Sequence, residues 1–529
     1  MSGNAPVSGD DGPNARTVTA FWTHFAFVLF AIATLASASY GLHMAVLLVL
    51  YARRQKRTRA RQREIIDAFV ARDDRANWPH VTTQLPIYNE ADVVARLIDA
   101  VVAMDYPRAR HEIQVLDDST DDTRDLVDRI VRRYAAEGVD IKAVRRPDRR
   151  GYKAGALAHG VRLAKGELLP VFDADFVPPP DFLKRAVALL VENPKAACVQ
   201  GRWGHLNRDE SMLTRAQALG IDGHFAIEQG ARAWNGLLMN FNGTAGIWRK
   251  AAIDDPAVGG WSADTLTEDL DLSYRVQLAG WEIEYTVDVV CPAELPGTAQ
   301  ALKSQQRRWA TGSIQVARKL LPRIWRSHLG WGQKIEATLH LTHYSIAVFM
   351  LILAVVARPM LLVWLEGTVF RPWFFWVWIA VCITALIPSS VYAYARHSLG
   401  EGWSGIRVIP GMFALGIGIC LNNTIAVIRG LYLRGGEFVR TPKSGSTARS
   451  RQAGRYIVGT GQIWLIELLL GGYSLWTFQQ YFQNDRYFFS LFLLLYGFGF
   501  LWMGWLSRPR SQPPSLTDAD TSPATPQTV

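Results

Sequence analysis

The stretch LLPVFDADFVPPPDF, residues 168–182, decides how the rest of the chain is read. Four mostly apolar residues, Leu168 to Val171 with Pro170 among them, predict a short buried strand that delivers Phe172 and then two carboxylates, Asp173 and Asp175, at its end. The prolines at 178–180 stop it. In an open α/β sheet, ligands lie beyond the carboxyl ends of the strands, so acids here face a site and not the core. Alternation along an extended segment puts Asp173 and Asp175 on one side and Ala174 on the other. Two hard oxygen donors on one side suit Mg2+ or Mn2+ holding a substrate pyrophosphate. A DxD alone is also common in solvated turns, and the flanking sequence has to decide between the two.

Upstream, HVTTQLPIYN (80–89), EIQVLDDS (112–119) and IKAVRR (141–146) read as further strands, separated by helical stretches near 89–104, 121–137 and 152–164. Short strands alternating with such helices imply a parallel sheet covered on both faces, so the expected fold class is α/β, doubly wound. Downstream, WSADTLTEDLDLSYRVQLAGW (261–281) places Thr267 at a helix N-cap and Gly280 just past the helix end. That seats Glu268 and Asp269 in the first turn. Acidic groups thus recur at element ends in three places: Asp117 and Asp118, Asp173 and Asp175, Glu268 and Asp269. One such match means little, but three in order within one α/β domain are hard to dismiss. SQQRRWATG (304–312) adds Gln305, Arg308 and Trp309. Arg308 could bind phosphate and Trp309 could stack on a sugar face, the alternative being an interfacial Trp and Arg that anchor a membrane-surface helix.

With 529 residues, 49% of them hydrophobic, and a mean hydropathy of +0.04, part of the chain belongs in lipid. An almost uncharged run, 21–51, is long enough for one span. Arg53, Arg54, Lys56, Arg57, Arg59, Arg61 and Arg63 follow at once, a basic juxtamembrane linker (52–79) expected against anionic headgroups on the cytoplasmic side. That position argues against nucleic acid as the partner. Apolar runs at 340–365, 373–395, 456–480 and 486–507 predict four further spans, while 408–433, interrupted by Asn422 and Asn423, reads as interfacial or re-entrant. Five spans place the basic loop 434–455 on the inside. The four cysteines show no metal-ligand or disulfide spacing. Residues 1–20 and 508–529 are expected to be disordered tails.

The motifs DD, DxD, TED and QxxRW, in this order and followed by spans, resemble the processive family 2 glycosyltransferases, the group of cellulose, chitin and hyaluronan synthases. VLDDSTDDT, RRGYKAGAL, FDADFVPPPDFL, VQGRWGHLN, FNGTAGIWR and TEDLDLSYR are similar in particular to the cellulose-synthase-like A group, the glucomannan 4-beta-mannosyltransferases. The likeness covers residues 80–320 well and the membrane part, 321–507, only loosely. It implies a GT-A-like, doubly wound mixed-sheet domain inserted between transmembrane helices. By resemblance, Asp117 and Asp118 hold the donor nucleoside and Asp173 and Asp175 the metal-diphosphate, with Lys153 near the same diphosphate. Asp269 is the general base. Gln305, Arg308 and Trp309 line the donor diphosphate and the acceptor end, and Asn242, Gly243, Thr244 and Glu268 lie near the acceptor. FVRTPK (438–443) resembles a gating loop, with Phe438, Thr441 and Lys443 in place and Arg440 departing from the usual Val.

The resemblance implies a nucleotide-sugar donor, GDP-mannose or UDP-glucose, a beta-linked polysaccharide acceptor, a Mg2+ or Mn2+ cofactor, and a multi-pass cell-membrane protein in contact with lipid. The chemistry needs the same parts. A divalent cation absorbs charge on the leaving diphosphate, and an acceptor hydroxyl needs a positioned carboxylate to take its proton. A non-processive lipid glycosyltransferase, of the ceramide-glucosylating kind, shares this logic but needs no channel. A transporter or receptor with a degenerate nucleotide-binding domain would lack some of the acids, and none is missing.

Overall fold

The computed structural model describes residues 13–72, 74–365, 373–436 and 461–509. Phe438, Thr441 and Lys443 lie outside them, as do residues 1–12 and 510–529 of the expected tails. Among the described residues seven strands form one sheet: β1 (Val81–Ile87), β2 (His111–Asp117), β3 (Asp140–Val144), β4 (Leu168–Val171), β5 (Ala196–His205), β6 (Gly246–Arg249) and β7 (Glu282–Ala293). Their order is β3-β2-β1-β4-β6-β5-β7. Strand β1 pairs in parallel with β2 on one side and β4 on the other, so the chain moves outward through β2 and β3 and then returns to add β4. This reversal is a topological switch point, where a crevice opens beyond the carboxyl ends. The VLDD and FDAD acids stand on either side of it.

The sheet differs from a wholly parallel one at a single strand. β6 runs antiparallel to both β4 and β5. It leaves a turn already beside the carboxyl end of β4, with Ala245 at a positive φ of 55°, and from there can only run back along its neighbour. Periodicity of 2 in a four-residue segment carries no direction, so GIWR does not disclose this.

Helices cover both faces. Val94 and Leu97 of α2 (Val94–Val102), Val127 of α3 (Thr123–Ala136) and Phe182 and Leu183 of α5 (Phe182–Glu192) share one apolar cluster. Leu157 and Val161 of α4 (Tyr152–Leu163) and Leu272 and Val276 of α9 (Glu268–Leu278) share the other. Every residue of β2 is buried, as a strand covered on both faces requires. Fully buried apolar side chains such as Ile113, Val115 and Leu116 contribute about 1.5–3 kcal/mol each, which makes the sheet a rigid base for the groups at its edge.

Preceding β1, α1 (Pro13–Val70) is one unbroken helix of 58 residues, about 87 Å at 1.5 Å per residue and far longer than a bilayer's ~30 Å. It starts inside the expected N-terminal tail and runs through the arginine cluster of the expected basic linker as far as Val70. The run QKRTRARQREI consists almost wholly of good helix formers, which explains the continuity. Arg59 and Arg63 do not both face headgroups: their guanidinium groups sit 2.6 and 3.1 Å from Asp288 of β7, tying the membrane helix to the sheet.

Between β5 and β6 come α6 (Met212–Gly223) and α7 (Gln229–Ala233), and after β6 the short α8 (Lys250–Ile253). The chain then continues through α10 (Ala299–Arg326), α11 (Trp331–Thr342), α12 (Ile346–Leu365), α13 (Trp373–Ser398), α14 (Ile409–Gly418), α15 (Cys420–Tyr432), α16 (Ile463–Gln483) and α17 (Tyr487–Ser507). Among the described residues four helical stretches are long and apolar enough to cross a membrane: His24–Val70, Trp331–Leu365, Phe375–Ser398 and Tyr487–Ser507. Ser404–Gly418 and Cys420–Tyr432 form a pair bent by 48°, a broken span or a re-entrant loop. Helix α16, where a further span is expected, is less apolar and carries the buried Glu467. Arg358 of α12 turns toward α16, its guanidinium 5.4 Å from the Trp476 ring.

Candidate active site

Most of the predicted residues converge on one cavity at the switch point. Asp118, Lys153, Asp173, Asp175, Asn242, Gly243, Glu268, Asp269, Gln305, Arg308 and Trp309 all line it. Asp173 stands just past β4, its backbone N–H donating to Thr244 Oγ1 at 2.9 Å. Lys153, in the first turn of α4, donates from Nζ to Asp173 Oδ1 at 2.5 Å and to the Gly243 carbonyl at 2.9 Å. Glu268 lies 3.9 Å from the same ammonium. Burial works against the Lys153 charge, but Asp173 and Glu268 outweigh it and hold its pKa above the ordinary lysine value.

Asp269 is the second residue of α9, and Leu270 N–H donates to its Oδ1 at 2.8 Å. A helix N-terminus favours a carboxylate. Burial and the neighbouring Glu268 override this, and with Lys153 and Arg308 pulling the other way the Asp269 pKa is pushed up to about 7. Gly243 closes the gap between the two halves of the site. It sits at φ +83°, and a Cβ there would lie 2.7 Å from Asp269 Oδ2 and 3.4 Å from Lys153 Nζ. Only the absence of a side chain lets the candidate base, the lysine and the DxD meet.

Helix α10 brings Gln305, Arg308 and Trp309 to the other wall. Gly312 makes this possible, since a Cβ on it would come within 2.5 Å of Thr267 Cγ2. Gln315 pins the same approach by accepting from Leu266 N–H at 2.8 Å. Thr267 is the N-cap of α9, but its side chain makes no capping hydrogen bond, because α10 packs against it. Gly280 closes the helix at φ +98°, as its spacing predicts.

Two predicted residues stand off the cavity. Asp117 is buried and turned off the cavity: it accepts from Ser119 N–H at 3.0 Å and from Arg145 Nε at 2.9 Å. Adjacent residues on an extended segment point to opposite sides, so only one member of a DD pair can face a ligand. Asp118 faces it, forked by Arg146 Nε at 3.1 Å and by Arg146 Nη2. Thr244 is fully buried and serves as the prop for Asp173, not as a group presented to the acceptor. The gating-loop residues lie outside the described residues.

The cavity also holds groups the sequence reading gave no role. The Arg149 guanidinium lies 3.3 Å from the Tyr88 ring centroid, a cation–π pair at the cavity wall. Tyr88 follows β1 at its carboxyl end, a position that itself points to a site. Trp203 of β5 lies 6.4 Å from Trp309 and 4.9 Å from Phe225 between ring centroids, making an aromatic wall.

A mixed seven-stranded sheet with acids at its switch point, and apolar helices on either side in the chain, defines a membrane-associated GT-A-like transferase. The family model described as "Glycosyltransferase like family 2" matches residues 79–312. Glucomannan 4-beta-mannosyltransferase 7 of Arabidopsis thaliana is 34% identical over 451 residues, 80% of this chain and 77% of that one. Probable glucomannan 4-beta-mannosyltransferase 6 of Oryza sativa subsp. japonica is 33% identical over 83% of this chain and 78% of its own. Glucomannan 4-beta-mannosyltransferase 2 of Arabidopsis thaliana reaches 43% identity over 48% of each. The mannosyltransferase PcManGT of Pyrobaculum calidifontis, solved with GDP-Man and Mn2+, shares 22% identity and a TM-score of 0.45 over 70% of this chain and 98% of its own, too slight a likeness to carry ligands across. The chain belongs to the family 2 glycosyltransferases, in the cellulose-synthase-like group of the glucomannan 4-beta-mannosyltransferases, and is a glycosyltransferase.

Proposed function

We propose that this protein is an inverting, processive transferase that moves a hexose from a nucleotide sugar to the end of a growing beta-linked mannan or glucomannan and passes the chain outward through its own spans. The observation that carries the reading is the meeting of Asp269, Lys153 and Asp173 around Gly243, because it sets a proton acceptor beside the groups suited to a diphosphate. The relatives named above are mannosyltransferases, which favours GDP-mannose over UDP-glucose.

In this mechanism Asp118, steered by Arg146, binds the donor nucleoside, while Asp117 holds Arg145 and the turn behind it. Lys153 and Arg308 attract the diphosphate. Asp269 takes the proton from the acceptor hydroxyl as its oxygen bonds to the sugar C1, and the C1–oxygen bond to the diphosphate breaks on the opposite face. One displacement inverts the anomeric centre, so a single carboxylate suffices. Trp309 and Trp203 offer flat apolar surface to the polymer end.

Asp173 and Asp175 both line the cavity, brought there not by extended alternation but by a turn closed by Phe176 N–H donating to the Asp173 carbonyl at 3.1 Å, and their oxygens are a donor pair that fits Mg2+ or Mn2+. Among the described residues no group of three or more His, Cys, Asp or Glu is placed to hold a metal ion, so Asp173 and Asp175 would hold a cation together with ligands from outside the chain. When bound it neutralises charge on the leaving diphosphate. Activity should therefore vanish in excess EDTA and return with Mn2+ or Mg2+, and Asp175→Ala should weaken nucleotide binding measured calorimetrically in the presence of the metal. Full turnover in EDTA would remove the metal.

The catalytic domain belongs on the cytoplasmic side of the cell membrane, where nucleotide sugars are made and where the basic clusters sit. Single cysteines placed at 138, in the catalytic domain, and at 484, between α16 and α17, test this in a cysteine-free background. Position 138 should react with an impermeant maleimide only from inside and 484 only from outside. Labelling of both from one side would overturn the layout.

A further inference from the structure

Between α6 and α7 the chain makes one π-helical turn, His224–Glu228. Such turns are often found at functional sites, and this one faces Asn242, which lines the cavity next to Gly243. The Asn242 carboxamide is gripped on both sides. Its Oδ1 lies 2.5 Å from Gln229 Nε2 and its Nδ2 lies 3.1 Å from His224 Nε2. Gln229 Nε2 also reaches the Asn240 carbonyl at 2.8 Å, and a carbonyl only accepts, so Gln229 is the donor and Asn242 Oδ1 has to face it.

The rest follows by elimination. Asn242 Nδ2 faces His224, whose Nε2 must be the accepting, unprotonated nitrogen. The imidazole proton then sits on Nδ1, 3.3 Å from Glu228 Oε2. Arg232 Nη1 donates to that same Glu228 oxygen at 3.1 Å, and its Nε donates to Glu336 Oε1 at 2.7 Å. Arg232 is only 2% exposed, so the far end of this chain of contacts is an immobile buried ion pair. One polar hydrogen of the carboxamide remains, the second on Nδ2. A flipped carboxamide would set Nδ2 against the Gln229 donor and offer the cavity a lone pair instead.

We infer that His224 is a positioning residue for glycosyl transfer: through its Nε2 acceptor it holds Asn242 in the flip that directs an N–H to a hydroxyl of the acceptor sugar beside Asp269. The inference rests on the proposed function, which puts the acceptor at that wall. His224 touches no substrate itself, so its effect has to pass through Asn242.

The test uses the full chain in detergent, with the nucleotide-sugar donor and a beta-1,4-linked manno-oligosaccharide as acceptor. His224→Leu should raise the acceptor KM or lower kcat by about tenfold, the size of one lost neutral hydrogen bond, with donor nucleotide affinity unchanged. His224→Gln, whose side-chain carbonyl can accept the same bond, should recover most of the loss. Asn242→Asp, which keeps the shape and removes the donor, should match His224→Leu, and adding His224→Leu to Asn242→Ala should change nothing further. Normal acceptor kinetics in His224→Leu, additive losses in the double variant, or loss of nucleotide binding in both His224 variants would each overturn it. A wild-type protein that transfers sugar to no oligosaccharide would sink the proposed function and this inference together, whereas an active wild type with indifferent His224 variants would sink the inference alone.

Discussion

Asp269→Asn should reduce polymer formation by ~10²- to 10⁴-fold, the loss expected when a general base alone is removed. Asparagine keeps the shape, and Leu270 N–H can still donate to its side-chain oxygen. Lys153, Asp173 and Asp118 are untouched, so nucleotide binding measured by calorimetry should survive. The wild-type pH profile supplies a second readout. Burial and Glu268 raise the Asp269 pKa to about 7, and only the ionised carboxylate can accept a proton. The rate should accordingly rise with pH up to about 7 and then level, falling about tenfold per unit on the acid side. The residual activity of Asp269→Asn should lack that acid limb. Near-normal turnover in the variant would show that another group takes the proton.

Gly243→Ala should be nearly as damaging, although it adds one methyl and removes no functional group. Two effects combine. The residue sits at φ +83°, where an L side chain costs roughly 1–2 kcal/mol. The new Cβ would also lie 2.7 Å from Asp269 Oδ2, so either the base or the loop must shift. A displacement of about 1 Å at a reacting group is worth about 10²-fold in rate. Gly138→Ala separates the two effects, because Gly138 has a similar φ of +80° with nothing within 4 Å of its Cβ position. Both variants should melt lower, and only Gly243→Ala should lose kcat. Equal activity of the two would mean that the approach of Gly243 to Asp269 does not matter.

Much of this site was legible because its groups lie at the ends of regular elements. Asp118, Asp173, Asp175, Glu268 and Asp269 follow strands or open a helix whose hydrophobic patterns are local, and a side chain just past a buried strand has few places to go but the crevice. The spacing from Thr267 to Gly280 likewise marks α9 at both ends. Asp117 and Thr244 are turned away from the cavity, one legibly and the other not. The alternation that hides Asp117 is written in the sequence, since adjacent residues of an extended DD pair point to opposite sides. The burial of Thr244 was not available, since its partner Asp173 lies 71 residues away.

The sequence by itself determined the α/β class, the placement of a catalytic domain between apolar helices, and the short list of acids from which the base is drawn. Each is written in contiguous residues through propensity, period and composition. Only the tertiary structure decided which way β6 runs, that α1 continues through the arginine cluster to Asp288, that Gly243 is the gap through which Asp269 meets Lys153, and that His224 grips Asn242. These depend on contacts between segments tens to hundreds of residues apart, where a distance of a few ångströms, not a local preference, sets the chemistry.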